Sequence, residues 1–190
     1  MGEASVIGRS KITQVRLAGL GGQGVILAGL LLGQAGVFDG RSVSGSNFYG
    51  AQARGSGCKS EIVFSDGPID FPHLVTADIF VAMSQGAYDS LCDDVRTGAG
   101  LILYDQGWVV PRERAGVRQI GVPATEVSVK RLKNKQAVNH VLLGAFVEIT
   151  KMVSPGAVRK AIRLHVSEKF RALNLKALQA GMGLGRRVHG

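Results

Sequence analysis

Glycines at 19, 21 and 24 stand in the spacing G-x-G-x-x-G, within the run Leu17-Ala18-Gly19-Leu20-Gly21-Gly22-Gln23-Gly24. That spacing serves binding rather than bond-making. The first glycine permits a tight turn, the second lets backbone N–H groups approach an anion, and the third lets a following helix pack close to its strand. An anion held there would meet a helix N-terminus, where unpaired donors and the helix dipole favour negative charge. A second candidate is the loop Tyr49-Gly50-Ala51-Gln52-Ala53-Arg54-Gly55-Ser56-Gly57. One arginine among small residues keeps its guanidinium fork open to a phosphate or carboxylate. The competing reading pairs Arg54 with a carboxylate such as Asp66 and merely orders the loop. Long loops at strand ends tend to carry function, which favours a ligand or an interface.

Other chemistry is poorly served. A nicotinamide site needs an acid at the end of the second strand to hold the ribose, and that strand ends in Ser44-Gly45-Ser46. Asp39 has nearly the right offset but precedes the strand. There is no G-x-S-x-G elbow, no G-x-x-x-x-G-K-[ST] loop and no convincing nucleophile–base pair. Cys58 and Cys92 form no C-x-x-C, so the chain cannot by itself ligate an iron–sulfur cluster or a structural zinc through thiolates. His73, His140, His165 and His189 lack metal-ligand spacing, and no metal site is expected. Cys58 is expected to be a packing residue. Free thiols without a disulfide framework suit the cytoplasm.

The elements that must position these residues follow from periodicity. At 190 residues, 45% hydrophobic and 19% charged, the chain is expected to form an arm over 1–10 and a single α/β domain over 11–190, helical from about 124. Strands are expected over 12–18, 41–46, 60–65, 78–83, 100–104 and 117–122, and helices over 25–37 and 85–92. Continuous apolar strands alternating with helices predict a Rossmann-like three-layer α/β/α fold with a mainly parallel sheet and C-terminal helices. Residues 47–57 read as a loop and 106–116 as an exposed connection or hairpin. Residues 134–152 carry a helical stripe. Ser154-Pro155 starts another helix, and Asn174 caps a last short one ending near Gly181 or Gly183.

Arg9, Lys11 and Arg16 before an apolar segment imitate a secretory signal, but Gln23, Gln34 and the glycines interrupt it. No stretch reaches the roughly 18 uninterrupted apolar residues of a membrane span. Charge is uneven: residues 1–120 hold 10 Lys+Arg against 11 Asp+Glu, and residues 121–190 hold 13 against 3. The basic third suits an acidic partner, whether nucleic acid, a phosphorylated cofactor or an acidic protein surface; solvated helix faces are the plainer alternative. The basic stretch 130–135 contains no aromatic residue to stack bases. On residues alone, a free-standing Rossmann-like nucleotide-binding protein and a basic RNA-contacting module both stay open.

Four pieces in order resemble the γ subunit of 2-oxoacid:ferredoxin oxidoreductases, the unit that forms domain III in fused members. They are GLGGQGVILAG at 19–29, YGAQARGSG at 49–57, SEIVFSDGPI at 60–69, and the asparagine of NKQAVNHVLLGA at 134–145. One departure is ARGSG, where the family usually has ARGG and a small residue. The resemblance implies a subunit of an enzyme that oxidatively decarboxylates a 2-oxoacid with coenzyme A, giving acyl-CoA, CO₂ and reduced ferredoxin. Thiamine diphosphate and the iron–sulfur clusters would sit on α, β and cluster-bearing partner subunits, and ferredoxin would be the acceptor. No membrane or nucleic acid partner is implied. By motif position, Gly19, Gly21, Gly22, Gln23 and Gly24 become anion-binding backbone for coenzyme A, and Arg54, Gly55 and Ser56 a second contact. Asn139 becomes helix-borne support near the same cleft. No residue of this chain would be catalytic, and 2-oxoglutarate is the favoured 2-oxoacid over pyruvate and branched-chain acids.

Overall fold

A computed structural model describes residues 11–50 and 55–188 of the chain. Its first strand, β1 (Ile12–Leu20), leads through the glycine turn into α1 (Val25–Phe38). An antiparallel pair follows, β2 (Ser42–Tyr49) and β3 (Gly57–Ser65), then β4 (Ile79–Ala82), α2 (Gln85–Leu91), β5 (Gly100–Asp105) and β6 (Val117–Val122). The remainder is helical: α3 (Ala124–Lys130), α4 (Val138–Thr150), α5 (Pro155–His165) and α6 (Glu168–Val188).

The sheet has six strands in the order β2-β3-β1-β4-β5-β6. β1, β4, β5 and β6 pair in parallel, while β3 runs antiparallel to both β1 and β2. The expected α/β/α fold is therefore present, with one reversed strand. Side-chain alternation splits the core into two layers. Val15, Leu17, Ile79, Val81, Leu103 and Ile120 face α1 and α3–α6, whereas Ala18, Phe80, Ala82 and Ile102 face α2. On the α2 face, Arg16 Nε donates to Glu61 Oε1 at 2.8 Å, and both side chains are buried. Lys59 (2.9 Å) and Asp94 (3.1 Å) complete the network. Its closure matters because a buried charge left unpaired costs about 3–5 kcal/mol.

Three expectations are corrected. The loop over 47–57 is shorter, because β2 runs on to Tyr49 and β3 begins at Gly57, with Tyr49 opposite Cys58 in the ladder. Serine and glycine in this stretch disguise a hairpin whose stability comes from pairing with β3. The helix over 134–152 is divided: Asn134 Oδ1 accepts the Gln136 N–H at 2.8 Å, a 3₁₀ turn spans Lys135–Ala137, and α4 ends at Thr150. The last helix is neither short nor capped by Asn174. α6 runs 21 residues with Asn174 buried inside it and Gly181, Gly183 and Gly185 in its interior. Two of them lie against α4, a Cβ on Gly181 standing 2.8 Å from the Val141 carbonyl carbon and one on Gly185 2.7 Å from Glu148 Cβ, whereas Gly183 meets nothing within 4 Å. Burial of a close helix crossing outweighs the ~1 kcal/mol glycine penalty in a helix. Among the described residues, no helix is long and apolar enough to cross a membrane.

Candidate functional site at the glycine turn

Parallel strands β1 and β4 are neighbours, yet the helix after β1 covers one face of the sheet and the helix after β4 covers the other. The crevice outside the carboxyl ends of such strands is where open α/β sheets bind ligands. The glycine turn lies there. Gly19 is the penultimate residue of β1, and a Cβ on it would stand 2.5 Å from Gln23 Oε1 and 2.8 Å from Met83 Cβ. Gln23 is the tie between the two strand ends: its Oε1 accepts the Leu20 N–H at 2.7 Å, and its Nε2 donates to the Met83 carbonyl at 2.9 Å. Ser84, next along, caps α2 by accepting the Ala87 N–H.

Not every amide of the turn faces outward. Gly21 N–H donates to the Ser56 carbonyl at 2.8 Å, and Gln23 N–H to the Leu20 carbonyl at 3.1 Å. Those two bonds hold the turn and stitch it to the hairpin. Gly22 (φ 97°) and Gly24 (φ 76°) take left-handed backbone that only glycine adopts at little cost. Nothing lies within 4 Å of where a Gly22 Cβ would be, so that residue faces open space. Gly24 opens α1, whose first-turn amides at Val25, Ile26 and Leu27 have no intrahelical acceptor by geometry. Three cavities of about 310, 340 and 470 Å³ meet at Gly22. The first contains Gly21, Val25, Ile26, Tyr49, Ser56 and Cys58 in its wall.

Asn139 is brought to this turn from 115 residues away. Its Nδ2 donates to the Gly24 carbonyl at 3.1 Å, and its Oδ1 accepts the His140 N–H at 2.9 Å. The same Oδ1 stands 2.8 Å from His140 Nδ1. Because Asn139 Nδ2 is the donor to Gly24, its Oδ1 is the acceptor, so the proton of neutral His140 sits on Nδ1. Nε2 then carries a bare lone pair; it is buried and has no hydrogen-bond partner among the described residues. Burial pushes the imidazole pKa down to about 4. A Cβ on Gly24 would stand 2.9 Å from Asn139 Cγ, which explains the pairing of these two residues.

The other expected residues are placed as follows. Gly55 (φ 81°) and Ser56 lie at the far side of the turn, where Gly55 N–H reaches the Gly21 carbonyl at 3.4 Å. Arg54 lies outside the described residues. Its supposed partner Asp66 is held by Arg41 at 3.1 Å. Asp39 is tied to the start of α5, accepting the Ser154 N–H at 2.6 Å and its hydroxyl at 2.7 Å, far from a ribose-binding role at the end of β2. Cys58 is half-buried, and desolvation pushes its thiol pKa up, as for a packing residue. Among the described residues, no three His, Cys, Asp or Glu gather to hold a metal ion. From the sequence, His140 stood only as a histidine without metal-ligand spacing and Lys135 only as part of a basic stretch, while Trp108 had no assigned role. Trp108 follows β5 by three residues and is half exposed in the 470 Å³ cavity beside Gly22 and Lys135. Its only mark in the sequence was its place just past a strand end.

The glycine turn thus sits at the switch point of a mostly parallel α/β sheet, beside the open N-terminus of α1. The model of the pyruvate ferredoxin/flavodoxin oxidoreductase family matches residues 14–184, and the chain belongs to that family. It is 37% identical over 178 residues to 2-oxoglutarate synthase subunit KorC of Methanocaldococcus jannaschii, covering 92% of this chain and 95% of that one. It is 35% identical to ketoisovalerate oxidoreductase subunit VorA of Methanothermobacter marburgensis, there matching only 37% of the longer protein. The crystal structure of a keto/oxoacid ferredoxin oxidoreductase gamma subunit from Geobacter sulfurreducens superposes with a TM-score of 0.83 at 32% identity, covering 93% of this chain and 98% of that one.

Proposed function

We propose that this chain is the γ subunit of a cytoplasmic 2-oxoacid:ferredoxin oxidoreductase, and that its glycine turn forms this chain's share of the coenzyme A site. The observation that carries the reading is Gly22. It is open on its Cβ side, left-handed, and set where three cavities meet at the start of α1. The coenzyme's diphosphate would lie across that turn, drawing on the unpaired first-turn amides of α1. Gly55 and Ser56 would border it from the hairpin side, and Arg54 would be a further contact by motif position.

The enzyme's reaction is oxidative decarboxylation: the 2-oxoacid loses CO₂, its acyl group passes to the thiol of coenzyme A, and two electrons pass singly to ferredoxin. Thiamine diphosphate, when bound on the α and β partners, supplies the carbanion chemistry. Iron–sulfur clusters on a cysteine-rich partner carry the electrons, since two separated cysteines here do not fit a cluster. This chain's residues bind and orient the acyl acceptor. 2-Oxoglutarate is the favoured substrate. The relatives named for 2-oxoglutarate are 34–40% identical and match along most of their own length, those named for ketoisovalerate are 35–36% identical over about a third of theirs, and those named for pyruvate are 30% identical.

The test is Gly22→Asp in the assembled complex, assayed with 2-oxoglutarate, pyruvate and a branched-chain 2-oxoacid. A carboxylate placed on the turn is expected to raise the KM for coenzyme A at least tenfold while the KM for the 2-oxoacid and the subunit composition hold. An unchanged KM for coenzyme A in an intact complex would overturn the site assignment. Turnover of another 2-oxoacid in preference to 2-oxoglutarate would overturn the substrate assignment.

A further inference from the structure

The cavity of about 470 Å³ beside Gly22 has a composition unlike the others around the turn. Its wall contains Trp108, the only tryptophan of the chain, together with Lys135, Gln136 and Thr125. Trp108 is 53% exposed, although an indole is among the largest apolar groups a protein can bury. Its backbone is not loose. Asp105, fully buried at the end of β5, accepts the Thr125 hydroxyl at 2.5 Å and the Gly107 N–H at 3.1 Å, and its carbonyl accepts the Trp108 N–H at 3.0 Å. Val109 is buried, and Val110 N–H donates to Gln85 Oε1 at 2.7 Å. The indole is thus held out over the cavity by a loop anchored on both sides of it.

Lys135 sits at the start of the 3₁₀ turn, exposed and without a carboxylate partner among the described residues. Across from these two groups lies Gly22. A flat aromatic face, an unpaired ammonium and a phosphate-ready turn around one cavity suit a purine that carries phosphate. Stacking uses the indole face, and the lysine supplies a point charge for the phosphate.

We propose that this cavity takes the adenosine-phosphate half of coenzyme A, with Trp108 as the stacking platform for the purine and Lys135 as a phosphate contact. This rests on the coenzyme reading of the glycine turn. Trp108 then sets the affinity for the acyl acceptor without touching the 2-oxoacid. A free purine nucleotide offers the same chemistry, so adenosine 3′,5′-bisphosphate and ATP are compared as competitive inhibitors.

The experiment uses the assembled oxidoreductase carrying Trp108→Ala, Trp108→Phe or Lys135→Gln, alongside Gly22→Asp. Each is assayed with coenzyme A and with 4′-phosphopantetheine, which keeps the thiol but lacks adenosine. Trp108→Ala is expected to raise the KM for coenzyme A about 5- to 150-fold, the equivalent of ~1–3 kcal/mol for a stacked base. The KM for 4′-phosphopantetheine and kcat should hold. Trp108→Phe, which retains a stacking face, should stay within about threefold of the parent, and Lys135→Gln, at an exposed position, should weaken coenzyme A several-fold. Adenosine 3′,5′-bisphosphate should inhibit the parent more strongly than ATP and lose potency in Trp108→Ala.

An unchanged KM for coenzyme A in Trp108→Ala while Gly22→Asp raises it would overturn this inference alone. Equal losses for both thiols would overturn it as well, since purine stacking cannot affect an acceptor without a purine. Stronger inhibition by ATP would assign the cavity to a free nucleotide and also overturn it. If Gly22→Asp leaves coenzyme A unaffected but Trp108→Ala does not, the cavity assignment stands and the glycine-turn reading falls.

Discussion

Lowering the pH from 8 to 5 should destabilise this chain through one side chain, His140. In the folded chain its imidazole is buried beside Asn139 and its pKa is pushed from 6.5 down to about 4. Unfolding returns it to water, where it takes up a proton at the ordinary value. Between these two values the unfolded state binds more protons, so stability rises with pH across that window and is lost as pH falls through it. The contribution is whole above 6.5. At 1.36 kcal/mol per unit, about 2 kcal/mol is gone at pH 5 and about 3 kcal/mol near pH 4. The quantity to measure is a difference, so that pH effects arising elsewhere in the chain cancel. Urea denaturation of the parent and of His140→Leu, which has comparable bulk and no titration, should be followed at half-unit steps from pH 8 to 5. The stability of the parent relative to the variant should be constant from pH 8 to 7 and then fall by about 2 kcal/mol by pH 5. A difference that stays flat over the whole range would refute the reasoning, and with it the claim that His140 is neutral and sealed from water.

Two further outcomes test the local geometry. Gly24→Ala should cost about 2–4 kcal/mol in a urea titration, because it adds left-handed strain to a clash with buried Asn139, whereas Gly22→Ala, with open space around it, should cost only the strain of ~1–2 kcal/mol. Gly181→Ala should lower the thermal midpoint despite a helix-propensity gain of ~1 kcal/mol, since the new methyl would press into the Val141 backbone of α4 and overpacking costs ~1–3 kcal/mol or more; a raised midpoint would show that the α4–α6 crossing yields easily.

Local patterns in the sequence sufficed for the framework. Segments rich in Ile, Val and Leu at 12–18, 60–65, 100–104 and 117–122 all became strands, with polar residues such as Arg16, Glu61 and Arg118 standing among them. The glycine turn was legible because strand, turn and helix are adjacent in the chain, and glycine is the residue that left-handed backbone demands at Gly22 and Gly24. Ser154 as an N-cap ahead of Pro155 was equally local, and its side chain does accept the Ala157 N–H.

What the tertiary structure decided are the choices that depend on distant residues. The reversal of β3 and the extension of the β2–β3 hairpin rest on ladder partners, not on the composition of a Ser- and Gly-rich stretch. The length of α6 was hidden because glycine reads as a stop in isolation, yet here its missing side chains admit the backbone of α4. The state of His140 follows from Asn139, whose own orientation is set by a carbonyl 115 residues earlier. Trp108 and Lys135 are separated by 27 positions and face Gly22 across one cavity only because β1, β4, β5 and β6 end on the same side of the sheet. A sequence displays the periodicities that a backbone obeys locally. Shared cavities and buried protonation states arise from long-range packing, and no local pattern encodes them.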